Sequence, residues 1–175
     1  MLSFQGWGQT VYPYNGTSQA PGYSTPCFGG TLSFQFTGTG SYNSPFPPKN
    51  VGDYTLTVGS TACPTDFTSV NFSIIPITLT VSSTASNKVY DGNTTAVVSL
   101  TSDKLGSDVI TITNTTATFA DKNVGVGKVV TVSGIAITGT DAGNYSLTNV
   151  TATTNADITV KSLTVSSTAS NKVYD

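Results

Sequence analysis

Few residues in this chain could carry chemistry: nine aspartates, seven lysines and two cysteines among 175 residues, with no histidine, glutamate or arginine. A hydrolytic triad needs a base, normally histidine, to take the proton from serine or cysteine. Without one, that class has no means of activating its nucleophile. Paired carboxylates can cleave glycosides, yet these aspartates are scattered through turn-like segments, where they act as turn formers and solvated caps. Gly125-Val126-Gly127-Lys128 lacks both the strand–helix context and the remaining positions of a phosphate loop. Calcium favours aspartate and carbonyl oxygens, and Asp103 with Asp108, or Asp141 with Asn144, could offer them. No D-x-D-x-D-G run is present, however. The expectation is a chain that is not an enzyme and has no catalytic residues, metal or cofactor.

Cys27 and Cys63 lie 36 positions apart and make no metal-type spacing. They read either as two unrelated buried thiols or as a disulfide. The nearly uncharged, Thr/Ser/Asn-rich composition looks extracellular and favours the disulfide. Closing a loop of that size is worth roughly 4 kcal/mol on the chain-entropy account.

The elements that would position these residues are strands. Threonine and serine supply 53 of the 175 residues, and charged residues only 9%, against about 25% in an average domain. Thr, Val, Ile, Tyr and Phe suit a pleated, half-buried surface, and good helix formers are scarce. The net charge of −2 without a basic cluster argues against nucleic acid. No apolar run reaches the roughly 20 residues of a membrane-spanning helix. Met1-Leu2-Ser3-Phe4 has neither the basic start nor the apolar stretch of a signal peptide, so the chain reads as a window on something longer.

Apolar residues alternate with period two: Ile110 and Ile112 against Val109, Thr111 and Thr113, then Ala117 and Phe119 against Thr116 and Thr118. Val130, Val132, Ile135 and Ile137 continue the pattern. Asp91-Gly92-Asn93, Gly106-Ser107-Asp108, Gly125-Val126-Gly127 and Asp141-Ala142-Gly143-Asn144 are turn signals between strands. The fold class expected is all-β, as small antiparallel β-sandwich (Ig-like) domains in tandem, end to end.

Residues 79–91 recur without a change at 163–175, 84 positions later, and Ile74 and Ile158 share that offset. The domains expected are therefore 1–76, 77–160, and the first strand and turn of a further repeat at 161–175. In the first, Leu2-Ser3-Phe4 matches Leu79-Thr80-Val81, Val11-Tyr12 with Asn15-Gly16 matches Val89-Tyr90-Asp91-Gly92, and Lys49-Asn50-Val51-Gly52 matches Lys122-Asn123-Val124-Gly125. The junctions, Ile75-Pro76-Ile77 and Val160-Lys161-Ser162, hold no flexible spacer, which predicts a stiff array. Asp141-x-Gly143-x-Tyr145 has the spacing of a tyrosine corner, with Gly52-Asp53-Tyr54 as its counterpart in the first domain. Alone, residues 163–175 should be disordered. If ordered, they should pack against protein outside residues 1–160, completed by a following domain or added to a neighbour's sheet edge.

Asn87–Ala96, Phe119–Gly125 and Gly139–Tyr145 resemble the YDG-type repeat of very large bacterial surface proteins. The first domain, through Tyr12, Asn15-Gly16, Tyr42, Asn50 to Tyr54 and Phe72 to Ile74, more weakly resembles the MBG-type repeats that accompany it. The resemblance implies a non-catalytic, secreted, extracellular repeat unit of a cell-surface adhesin stalk, gliding adhesins included, or of a filament. Its partners would be neighbouring repeats of the same chain or homopolymer contacts, with no nucleic acid and no membrane insertion. In its motif, Tyr90 anchors a strand in the core, and Asp91-Gly92 makes the tight turn after it. The alternative is a glycan- or surface-binding module, with Trp7 and the aromatics at 12–14, 42 and 46 as a stacking platform.

Overall fold

Alternating side chains build the strands, and what they alternate against decides the layers. The structure is a computed structural model describing residues 10–23 and 30–174. Ahead of Pro76 lie β1 (Val11–Pro13), β2 (Leu32–Gly38), β3 (Tyr42–Ser44), β4 (Gly52–Ser60) and β5 (Cys63–Ile75), which form one sheet in the order β1-β5-β4-β2-β3. In β4 the side chains of Tyr54, Leu56 and Val58 turn inward and are buried, as are Phe72 and Ile74 of β5.

After Pro76 come β6 (Ile77–Leu79), β7 (Val81–Ala85), β8 (Lys88–Val89), β9 (Val98–Ser102) and β10 (Thr111–Thr113). They are followed by β11 (Thr116–Phe119), β12 (Gly125–Ser133), β13 (Ala136–Thr138), β14 (Tyr145–Leu147) and β15 (Thr151–Thr159). Here the sheet β11-β12-β15-β8 is joined by three two-stranded ribbons, β7–β9, β10–β13 and β6–β14. Ala117, Phe119, Val130, Val132, Ala156 and Ile158 bury the inner face, with the threonines of β11 outside. The described residues are all-β, with several small sheets and two short 3-10 turns. No sheet among the described residues crosses Pro76, and the two sides are called the first and second units below.

Strand direction departs from the antiparallel expectation. Among the described residues three pairs are parallel: β1 with β5, β6 with β14, and β8 with β15. Period-two alternation is the same for either direction, so the pattern is silent on it. A parallel pair needs a long crossover, and here almost a whole unit serves as that connection.

The two units repeat one register. Ile74 of β5 faces Tyr12 on one side and Gly52 on the other, while Ile158 of β15 faces Lys88 and Gly125. The Tyr14 N–H donates to the Ile75 carbonyl, and the Tyr90 N–H to the Thr159 carbonyl, both at 2.9 Å. The structural match of Tyr90 is thus Tyr14, two residues beyond the Tyr12 chosen from sequence. The proline at 13 is tolerated because β1 lies at a sheet edge.

Residues 79–91 occupy β6 to β8. The described part of their duplicate, 163–174, forms no strand: residues 160–174 are exposed, Leu163, Val165 and Tyr174 by 87%, 83% and 99%.

Candidate functional site

Of the three buried polar residues among those described, Asp108 and Asn144 lie where the units meet, and Ser60 ends β4. Asp108 is 3% exposed, placed by a tight turn in which its N–H donates to the Leu105 carbonyl at 3.0 Å. Its Oδ2 accepts the hydroxyls of Tyr145 (2.6 Å) from its own unit and of Tyr14 (2.9 Å) from the other. Lys49 Nζ stands 3.6 Å from Oδ1. The Leu105 N–H donates to the Tyr145 hydroxyl at 3.0 Å, and the two tyrosine rings meet edge to face at 5.7 Å. Beside them, Asn144 Oδ1 accepts the Val51 N–H at 2.9 Å, and its amide nitrogen donates to Asn50 Oδ1 at 3.3 Å. Leu79 and Tyr145 join Tyr14, Phe36, Tyr54, Leu56 and Ile74 in a single apolar cluster, so the hydrophobic core runs through the junction.

The electrostatics follow from that enclosure. Burial alone pushes the Asp108 carboxyl upward, but the hydroxyls of Tyr145 and Tyr14 and the charge of Lys49 outweigh it and hold the group below its ordinary value. Burial, and then the bond to the Asp108 carboxylate, pushes Tyr14 and Tyr145 each up to about 12. At neutral pH the cluster is a carboxylate held by two neutral phenols and a nearby ammonium. Such an arrangement ties two surfaces together.

The residues singled out from sequence fall in several places. Tyr145 sends its hydroxyl to Asp108 and receives the Leu105 N–H, far from the local upstream backbone of a tyrosine corner. Tyr54 does make the local bond, donating to the Asn50 carbonyl four residues upstream at 2.9 Å. Gly52-Asp53-Tyr54 and Asp141-x-Gly143-x-Tyr145 are not counterparts: Gly52 opens β4, where the second unit has Gly125 opening β12. At Gly52 a Cβ would come within 2.6 Å of the Thr39 hydroxyl, which accounts for glycine there. Gly143 meets no such neighbour. Asp141 Oδ2 accepts the Val109 N–H at 2.8 Å, fastening the turn before β14 to the segment between Asp108 and β10.

Tyr90 packs half-buried against the second core cluster. Gly92 takes φ +83°, and Asp91 Oδ1 accepts the Asn93 N–H while pairing with Lys88 at 2.8 Å. The Lys88 ammonium, with that N–H, holds the Asp91 carboxyl below the usual carboxylate range. Of the oxygens weighed for calcium, Asp103 Oδ1 accepts the Thr80 N–H, Asp108 Oδ2 the two tyrosine hydroxyls, Asn144 Oδ1 the Val51 N–H and Asp141 Oδ2 the Val109 N–H. Cys63 opens β5 and is not a free thiol, whereas Cys27 lies outside the described residues, as does Trp7.

Sequence reasoning missed Tyr14 and Lys49 as junction residues and took Asp108 for a turn residue. The available signal was Tyr14-Asn15-Gly16, the second Tyr-(Asn/Asp)-Gly of the chain. Gly16 has φ +78°, and Asn15 Oδ1 accepts the Thr17 N–H at 2.9 Å, as Asp91 does from Asn93.

Residues 75–156 match the family described as YDG domain. This segment is a YDG-type domain. It supplies Asp108, Asn144 and Tyr145 to the junction and contains Tyr90-Asp91-Gly92. No curated protein and no solved structure matches the chain. The YDG-type domain therefore presents two ends: one holds the carboxylate that meets the first unit, and the other carries the Tyr90-Asp91-Gly92 turn.

Proposed function

We propose that the chain is a non-catalytic structural segment of a bacterial cell-surface adhesin stalk or extracellular filament, built from Ig-like β-sandwich units set end to end. The observation that carries this reading is the junction: a continuous apolar cluster with Asp108 bonded to tyrosines of both units. A junction that buries apolar side chains and a paired carboxylate resists bending, since opening it would expose the first and unpair the second. The exact repetition of residues 79–91 at 163–175 fits a chain that continues the same unit. The scarcity of charge and helix formers and the paired cysteines expected of the sequence fit an extracellular setting.

Small-angle scattering on the 175-residue chain tests the reading. A rod-like particle is expected, and a compact particle with the units side by side would contradict it. A glycan array separates the structural reading from a binding module, for which exposed Phe46 and Phe67 would be the first stacking candidates. The structural segment binds none of the glycans. Saturable binding lost on Phe46→Ala would replace this reading with the binding one.

A further inference from the structure

The far end of the YDG-type domain repeats, at the positions that make the contacts, the face that the first unit presents to the junction. Paired registers fix the correspondence: Ile74 with Ile158, Gly52 with Gly125, and Tyr14 with Tyr90 through the matched N–H bonds to Ile75 and Thr159. Lys49, Asn50 and Val51 therefore correspond to Lys122, Asn123 and Val124, and the residue types are the same at all three positions. In the first unit these residues are engaged, Lys49 with Asp108, Asn50 and Val51 with Asn144. In the second they face solvent: Val124 is 48% exposed, Lys122 and Asn123 are exposed, and Tyr90 is half-buried where Tyr14 is buried. A Cβ on Gly16 would touch Leu105 at 3.3 Å, while one on Gly92 would meet nothing.

Resting on the structural reading above, we propose that Tyr90, Lys122, Asn123 and Val124 form a docking face for the Asp108–Asn144–Tyr145 end of a further YDG-type domain. Tyr90 there plays the part that Tyr14 plays here, donating to the incoming carboxylate. The occupant is specified by three features. The face copies one already occupied by this end of a YDG-type domain, and its cation Lys122 answers the carboxylate of Asp108. From Ile158 the chain also runs, with the same spacing as from Ile74 to Leu79, into Leu163 and a string identical to the one that opens this domain. The contact is head to tail, so it propagates without closing, as a stalk or filament requires. Within the proposal, the motif's tyrosine is the latch between successive units, and its Asp-Gly is the turn that aims it.

The test extends the full chain after Asp175 with a copy of residues 92–160, completing a third unit in phase, and follows amide hydrogen exchange. In the 175-residue chain the Val51 N–H is bonded across the junction, and Val124 has no third unit to meet. On extension, the Val124 amide should exchange roughly tenfold more slowly or better, approaching Val51, and Tyr90→Phe should reverse most of that gain. Core amides of the appended unit report whether it folds. A folded third unit that leaves Val124 unprotected, a gain unaffected by Tyr90→Phe, or a third unit that does not fold beside this face overturns the proposal. A folded third unit without protection at Val124 leaves a flexibly jointed structural array standing. Glycan binding by the 175-residue chain would instead overturn the structural reading and leave docking untouched.

Discussion

Tyr14-Asn15-Gly16 and Tyr90-Asp91-Gly92 share a backbone: the same N–H bond to the last strand of the unit, the same side-chain-to-backbone bond at the second residue, and a glycine near φ +80°. They differ in what lies beyond. Tyr14 is 2% exposed, with its hydroxyl on Asp108, while Tyr90 stays half-buried and the turn after it is solvated. Local sequence therefore determines the turn, and the neighbouring unit determines what the turn is worth. The same motif is part of a core in the first unit, where a neighbour covers it, and a surface feature in the second.

The largest expected difference comes from the apolar part of the junction. Leu79 is completely buried in the cluster shared by both units, whereas Leu163, its duplicate, is exposed. Leu79→Ala should cost about 2–5 kcal/mol, and Leu163→Ala nothing measurable in this chain, as read by urea denaturation. Equal losses would mean that residues 163–174 are packed in solution.

Next is the carboxylate. Asp108→Ala leaves two buried phenols without their acceptor, an expected loss of about 3 kcal/mol. Asp91→Ala, at an exposed turn, should shift the denaturation midpoint far less. Tyr14→Phe removes one bond to a charged group and should cost about 1.5–2 kcal/mol, while Tyr90→Phe should be close to silent in the 175-residue chain. A Tyr90→Phe loss as large as that of Tyr14→Phe would remove the contrast between the two ends.

The pH dependence sharpens the same contrast from both sides. The Asp108 carboxyl is held below its unfolded value, so its contribution is present above the ordinary carboxylate range and is lost as pH falls through and below it. Tyr14 and Tyr145 are raised to about 12 from an ordinary value of 10.0, so their contribution is intact below that ordinary value. It is lost as pH climbs from there toward about 12, because the unfolded chain ionises first. Thermal melts should show a plateau through neutrality with falls at both ends. Tyr14→Phe should shrink the alkaline fall, whereas a fall of undiminished size would take Tyr14 out of the cluster.

Much of this architecture can be read in the sequence because period-two alternation and Asp-Gly or Asn-Gly turns are local signals. Ala117 and Phe119 turned inward and Thr116 and Thr118 outward follow directly from it. Strand direction does not follow, since β8 beside β15 and β1 beside β5 are decided by tertiary closure. The junction was half visible: Lys49 to Gly52 matched Lys122 to Gly125 by type, but nothing local distinguishes Asp108 from any other aspartate after a Gly-Ser turn. Only packing brings it against Tyr14, 94 residues away. Tyr145 was marked by its spacing from Gly143, yet its partner was not, because a hydroxyl's acceptor need not lie nearby in sequence.

The smallest expected effect separates the turn from its surroundings. Gly16 and Gly92 both hold φ values that an L side chain adopts with strain, so alanine at either should cost about 1 kcal/mol. At Gly92 the added methyl meets nothing, and the backbone cost is the whole effect. At Gly16 it meets the Leu105 methyl at 3.3 Å, tight enough that the neighbour must give by a few tenths of an ångström. Leu105 also carries the N–H that bonds the Tyr145 hydroxyl, so that displacement is passed to the Asp108 cluster. Gly16→Ala should therefore exceed Gly92→Ala by a few tenths of a kcal/mol, and it alone should speed hydrogen exchange at the Leu105 amide. Equal denaturation midpoints with an unchanged Leu105 amide would show that Leu105 gives way freely and that the first unit's turn is no more constrained than the second's.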